Sequence, residues 1–213
     1  MTETPSYLTT TADAYDAIAV VYAEFAQGAL DRQPLDRAAL AAFADFVLTG
    51  DAGTLVAEVG CGPGQTTAHL RDLGLDVFGI DLSAEMIKLA REAQPDLRFE
   101  VGSMDALDLA DGALGGILSW YSVIHVPPQD LPPYFTEFHR VLAPGGHLLL
   151  GFFESEGGPL VSFDHKVTPA YRWPIDDLAE LVRAAGFVEV GRILREPQED
   201  ERFRRGCLLM HRP

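Results

Sequence analysis

Basic residues are scarce in this chain: sixteen Lys and Arg stand against thirty-two Asp and Glu, a formal charge of −16. A surface that acidic repels a phosphate backbone, so neither nucleic acid nor an anionic membrane is expected as a partner. Cysteine is rarer still. Cys61 and Cys207 lie far apart and in no metal-ligand spacing, which leaves no disulfide framework and no thiolate metal site to expect. Long apolar runs are missing too. The longest stretch without a charge, Gly112 to Gln129, carries three glycines, two prolines, two serines and a histidine, and reads as a strand and loop rather than a membrane span. The opening residues, MTETPSYLTT, have neither the basic cluster nor the apolar core of a secretory leader, so a cytoplasmic protein with reduced thiols is expected. Apolar side chains, by contrast, are plentiful. They make up 47% of 213 residues, enough for one domain to bury a sizeable core without covalent staples.

The first fifty residues are helical in pattern. Alanine-rich runs from Asp13 to Ala29 and from Asp36 to Leu48 place Ile18, Val21, Tyr22 and Phe25, then Leu40, Phe43 and Val47, on apolar stripes. Beyond Gly53 short apolar runs alternate with helical segments, as βαβ units require. Strands are expected at Thr54–Val59, Asp76–Ile80, Leu97–Val101, Gly116–Trp120 and His147–Phe153, with helices at Gln65–Leu73, Ala84–Ala93, Tyr134–Leu142 and Ile175–Ala185. Two further strand-like runs, Val188–Arg195 and Phe203–His211, have no helix between them and should pair as an antiparallel hairpin. The expected fold is α/β: a doubly wound, mostly parallel, seven-stranded sheet with a C-terminal antiparallel strand. Residues 1–50 form a helical cap belonging to the same domain as residues 51–213.

The first strand runs into Glu58-Val59-Gly60-Cys61-Gly62-Pro63-Gly64, and a helix begins at about Gln65. Such a loop lets a ligand approach the backbone closely, and the helix start offers free N–H groups to something negative. A dinucleotide fingerprint, G-x-G-x-x-G, would need its third glycine at Gln65; here it comes one residue early, at Gly64. Strand two ends in Asp81, whose carboxylate suits a ribose diol, a role shared with dinucleotide enzymes. Asp81 also reads as a helix N-cap, although Ser83 suits that position better.

The pattern E-x-G-x-G-x-G resembles motif I of the class I S-adenosylmethionine-dependent methyltransferases. The segment Asp81-Leu82-Ser83-Ala84-Glu85-Met86 resembles the family stretch in which two apolar side chains flank adenine, and Gly102-Ser103-Met104-Asp105 the stretch in which an aspartate takes the adenine amino group. Arg140-Val141-Leu142-Ala143-Pro144-Gly145-Gly146 resembles the family's structural turn into strand five. The resemblance covers about residues 54 to 213. It implies S-adenosylmethionine as cofactor and S-adenosylhomocysteine as product. The implied cofactor contacts are Glu58, Gly60, Cys61, Gly62, Gly64, Asp81, Leu82, Met86, Met104 and Asp105. Trp120, at the end of strand four, and Tyr22, on the helical cap, join them.

Family members share cofactor motifs while their acceptor pockets diverge. Members that modify adenine or glutamine carry Asn-Pro-Pro-Tyr at the end of strand four, where this chain has Ser119-Trp120-Tyr121-Ser122. No second carboxylate accompanies that strand end until Asp130, so no metal is expected. His125 is the candidate general base, because imidazole titrates near neutrality; a histidine that only starts the loop reads equally well from sequence. Tyr15, Tyr121, His165, Tyr171 and Trp173 are the candidate acceptor contacts, which points to a small, partly apolar or aromatic molecule. The stretch holding His165, Tyr171 and Trp173 is too short for a lid domain, so the N-terminal helices are expected to cover the site. Arg202, Arg204 and Arg205 are flanked by Glu199, Asp200 and Glu201 and read as a solvated strand edge. Two other readings stay open: a nicotinamide-dependent oxidoreductase on a related sheet, and a cofactor-binding protein without catalysis.

Overall fold

A computed structural model describes residues 6–199 and 201–213. Helices α1 (Ser6–Ala26) and α2 (Pro34–Thr49) come first. The chain then alternates: β1 (Leu55–Val59), α3 (Gln65–Asp72), β2 (Asp76–Asp81), α4 (Ala84–Ala93), β3 (Arg98–Val101), β4 (Leu114–Trp120), α5 (Pro132–Val141) and β5 (Leu142–Glu154). It ends with β6 (Val161–Asp164), β7 (Pro169–Trp173), α6 (Ile175–Ala184), β8 (Val188–Arg195) and β9 (Arg205–His211).

The sheet runs β3-β2-β1-β4-β5-β7-β6, with β9 antiparallel to β5 and β8 antiparallel to β9. The α/β class, the parallel centre and the C-terminal antiparallel pair are as expected from sequence. The strand count is not: the sheet has nine strands among the described residues, not seven. The extra pair is the β6–β7 hairpin, in the segment expected to be a mere connection. It forms because β4 leaves β5 at Gly151, freeing that edge at Phe153 and Glu154 to pair with Arg172 and Trp173 of β7, while β9 keeps the other edge through Phe153. Edge groups of β5 that would otherwise face solvent are thereby bonded.

Each face of the sheet buries its own core. On one face α5 and α6 pack Tyr134, Phe135, Phe138 and Leu178 onto Ile117, Leu148 and Phe152. On the other, α2 and α3 pack Leu40, Phe43, Val47 and Leu70 onto Val56, Leu118 and Leu149. The stripe expected on α2 is therefore in the core. The stripe expected on α1 is not: Val21 and Phe25 are exposed, and only Leu8 and Ala19 of that helix are buried. Helix α1 lies over the carboxyl edge of the sheet rather than over a core, so its inward face is made of Tyr15 and Tyr22 instead. It also starts seven residues before Asp13, through Thr9-Thr10-Thr11, where intrinsic helix propensity is low. Buried Leu8 and a 2.8 Å bond between the hydroxyls of Tyr7 and Tyr134 hold that turn.

Strands β1 and β4 are neighbours, yet the chain leaves them in opposite directions, toward β2 and toward β5. A crevice opens at the carboxyl ends of strands at such a reversal. No described helix is long and apolar enough to cross a membrane.

Candidate functional site

A pocket occupies that crevice, lined by α1 and by the carboxyl ends of β1, β2 and β4. Its floor is the glycine loop. The backbone N–H groups of Gly60 and Cys61 both donate to the Ile80 carbonyl, at 2.7 and 3.0 Å, which ties the loop to the end of β2. Ser122 Oγ donates to the Val59 carbonyl at 2.7 Å from the other side. Gly60 adopts φ +75°, and a Cβ there would collide with the Ser122 side chain, so the close approach of loop to β4 requires glycine. At Gly62 (φ +53°) an added Cβ would find its nearest neighbour, Tyr22 Cε1, 3.9 Å away across open pocket.

Asp81 faces this floor. Its Oδ2 accepts from the Gly62 N–H at 2.8 Å and its Oδ1 from the Ser83 N–H at 2.9 Å. Each oxygen keeps a free lone pair, and the residue is half-buried on the pocket wall. Burial raises its pKa, and the two amides oppose that rise. Ser83 is the N-cap of α4, accepting from the Met86 N–H at 3.0 Å, so cap and candidate ribose ligand are separate residues, as expected.

Leu82, Met86, Met104 and Trp120 line the pocket, as do Tyr121, Tyr15 and Tyr22. Not every candidate does. Glu58 lies behind the loop, 2% exposed, with its carboxylate accepting from the Thr67 hydroxyl. Burial pushes its pKa up to about 8, against the Thr67 bond and with the help of nearby Asp81. Cys61 is buried against Phe99 and Ile87. Gly64 serves packing: a Cβ there would sit 2.8 Å from Phe99 Cζ and 3.2 Å from Ala90 Cβ. Asp105 is off the wall, its carboxylate accepting from Ser103 Oγ. Trp173 belongs to the α5–α6 core and Tyr171 packs on it, so neither lines the pocket. His165 also lies outside the lining, but its ring stands 5.0 Å from that of His125.

His125 and Tyr15, 110 residues apart, meet directly. The Tyr15 hydroxyl and His125 Nε2 are 2.7 Å apart, and His125 Nδ1 lies 3.1 Å from the Pro169 carbonyl oxygen. A carbonyl only accepts, so the proton is on Nδ1 and Tyr15 donates to Nε2. Burial pushes the His125 pKa down to about 4, and burial raises that of Tyr15 well above its usual value. Both partners are neutral across the physiological range. Tyr22 stacks edge-on against Tyr15, with centroids 5.5 Å apart.

Three features were beyond sequence reasoning or were misread. Asp16 of α1 accepts from Ser83 Oγ at 2.5 Å and from the Glu85 N–H at 3.1 Å, pinning the cap helix to the start of α4; no local pattern marks it. Tyr121 holds φ +57°, a conformation that costs a bulky residue on the order of 1–3 kcal/mol. The tail arginines are not all a solvated edge. Arg202 is exposed, but Arg205 is half-buried, with its guanidinium 4.9 Å above the Tyr121 ring and 5.3 Å from that of Phe153. Pairing of β9 with β5 sets Arg205 opposite Phe153, which draws it inward.

A glycine loop, an amide-held carboxylate and a sheet reversal, with β9 antiparallel at the end of the sheet, match a class I methyltransferase fold. The comparisons agree. Residues 56–146 match the family described as a methyltransferase domain. Over 104 residues the chain is 33% identical to a malonyl-[acyl-carrier protein] O-methyltransferase of Erwinia billingiae, covering 49% of this chain and 41% of that protein. The chain thus spans about two fifths of the length of that curated relative. Among solved structures, 1,6-didemethyltoxoflavin-N1-methyltransferase of Burkholderia thailandensis superposes with TM-score 0.66 at 23% identity, over 99% of this chain and 93% of that one. The [4+2]-cyclase SpnF superposes with TM-score 0.78 at 18% identity, over 98% and 97%. Residues 56–146 are thus similar to a methyltransferase domain, and the fold is shared with solved S-adenosylmethionine-dependent methyltransferases.

Proposed function

We propose that this chain transfers a methyl group from S-adenosylmethionine to a small acceptor bound at the mouth of the pocket. The observation that carries the reading is the Asp81 carboxylate, fixed by two backbone amides and presenting free lone pairs beside an open glycine loop. Those lone pairs suit ribose hydroxyls. Leu82, Met86 and Met104 supply apolar walls for adenine, and the uncovered backbone at Gly62 leaves room for the amino-acid tail. Bound there, S-adenosylmethionine supplies an electrophilic methyl group on a sulfonium.

The rest is alignment and exclusion of water. Trp120 and Tyr121 close the side of β4, and Tyr15 and Tyr22 close the side of α1. The Tyr15–His125 pair faces the acceptor. With a pKa near 4, His125 is a weak base alone and serves first to aim the Tyr15 hydroxyl. When an acceptor O–H or N–H gives up its proton, Tyr15 takes it while passing its own to Nε2, and the imidazolium stays bonded to the Pro169 carbonyl through Nδ1–H. The relatives' names support an acceptor that is small or carrier-bound, with oxygen as the methylated atom in one and nitrogen in the other.

Thermal unfolding tests the reading. S-adenosylhomocysteine at 100 times its dissociation constant adds about 2.7 kcal/mol, a rise of roughly 5–11 °C for a domain of this size. NAD at the same concentration should leave the midpoint in place. A shift with NAD, or with neither, overturns the assignment.

A further inference from the structure

Unpartnered polar atoms are concentrated on one side of the pocket. Among the described residues, eight buried side-chain nitrogen or oxygen atoms have no hydrogen-bond partner. Six of them, Tyr121 Oη, His165 Nδ1, Arg172 Nε, Trp173 Nε1, Arg204 Nε and Arg205 Nε, belong to the segments around the β6–β7 hairpin and the start of β9 and to the residue that follows β4. The arginine and tryptophan nitrogens can only donate, and a tyrosine hydroxyl can donate as well. Buried donors are rarely left without acceptors in a native protein.

The group adjoins the methyl-transfer pocket. Tyr121 lines that pocket, the His165 ring stands against His125, and the Arg205 guanidinium lies over the Tyr121 ring. Glu201 Oε1 is 3.0 Å from Arg205 Nε, without hydrogen-bond geometry. Its carboxylate is already taken by Arg195, at 2.6 and 2.9 Å. Around these donors stand the rings of Phe153, Phe163 and Phe203, with Phe153 centred 5.2 Å from Tyr121 and 5.9 Å from His165. Guanidinium, phenol and imidazole set among flat rings match a planar molecule bearing an oxyanion.

We infer that the acceptor is a planar acid, with its carboxylate held by Arg205 and Tyr121 beside His165. The inference rests on the methyl-transfer reading for the location of the reacting end; Tyr121 lines that pocket, and Arg205, which is also ion-paired with Glu201, and His165 stand directly behind its wall. An oxyanion seated there also places negative charge near His165 and His125, which makes proton acceptance by the Tyr15–His125 pair easier.

The test compares 2-naphthoate with its neutral isostere 2-naphthamide by titration calorimetry at pH 7.5, with and without saturating S-adenosylhomocysteine. The naphthoate should bind at least tenfold more tightly. Arg205→Gln should bring the two ligands within twofold while S-adenosylhomocysteine affinity moves less than twofold. Tyr121→Phe should weaken the naphthoate three- to tenfold, and it decides the matter if Arg205→Gln does not fold. Equal binding of the pair, binding of neither, or a tenfold preference surviving in Arg205→Gln overturns the inference. Failure of S-adenosylhomocysteine to bind while the naphthoate preference persists would strike the methyl-transfer reading and leave the acid subsite standing.

Discussion

Replacing Asp81 with alanine probes the site at its most constrained point. The carboxylate accepts two backbone N–H groups, at 2.8 Å from Gly62 and 2.9 Å from Ser83, and offers its remaining lone pairs to the pocket. The substitution therefore removes any ribose bonds and also the strut that links the glycine loop to the start of α4. Hydrogen bonds to a charged group are worth about 1.5–3 kcal/mol. That corresponds to roughly 10- to 150-fold in the dissociation constant of S-adenosylhomocysteine, which calorimetry reads directly. The loop stays anchored through the Ile80 carbonyl and Ser122, so the fold should survive, as a cooperative melt would show. The wild type carries a pH signature as well. Burial raises the Asp81 pKa, so affinity should be full at neutral pH and fall as acidification protonates the carboxylate. Affinity of the alanine variant within twofold of wild type, with intact folding, would refute the role given to Asp81.

The two loop glycines should separate binding from folding. Gly62→Val projects into open pocket and should abolish S-adenosylhomocysteine binding, while the strain of a β-branched residue at φ +53° costs about 1–3 kcal/mol of stability and leaves the protein folded. Gly64→Ala meets Phe99 at 2.8 Å in a left-handed conformation and should cost about 1–3 kcal/mol, or 2–4 °C per kcal/mol, as differential scanning would show. The imidazole of His125 should appear in nitrogen-15 spectra as the Nδ1–H tautomer and stay neutral down to about pH 5; Tyr15→Phe should shift the Nε2 resonance, and an unmoved resonance would mean the pair is not bonded. Glu58 has a folded pKa raised to about 8, so the folded state holds a proton that the unfolded chain releases near pH 4.5. Its contribution to stability is fully present below that lower value and is lost as pH rises toward 8. Glu58→Gln should flatten this slope in urea titrations, and an unchanged slope would count against the raised value.

The parts of the fold written in local pattern were legible from the residues. Strands β1 to β5 announce themselves as short apolar runs between helical segments, and β8 lies at Val188–Arg195 as expected. The glycine spacing narrowed the cofactor because the turn is made by consecutive residues. What escaped depends on distant partners. Val161–Trp173 carries serine, aspartate, histidine and lysine and looks like a connection until β5 offers it an edge. Tyr15 and His125 look like separate candidates until the fold closes their gap of 110 residues. Arg205 looks solvated beside Glu201, because nothing local says that β9 will set it opposite Phe153. Phe25 looks like core because helical periodicity cannot tell a face that packs on a sheet from one that borders a ligand site.

The attachment of α1 has a consequence for traffic through the site. This helix forms one wall of the pocket, yet it buries only Leu8 and Ala19 and is fastened by polar links: Tyr7 to Tyr134, Tyr15 to His125, Asp16 to Ser83 and the Glu85 N–H, and the Ala23 carbonyl to Gln65. Water can replace every one of those links, whereas it cannot replace a buried leucine cluster. Lifting the helix therefore exchanges hydrogen bonds for hydration and leaves both sheet cores intact. Among the walls of the pocket, α1 is thus the element whose departure exposes the least oil.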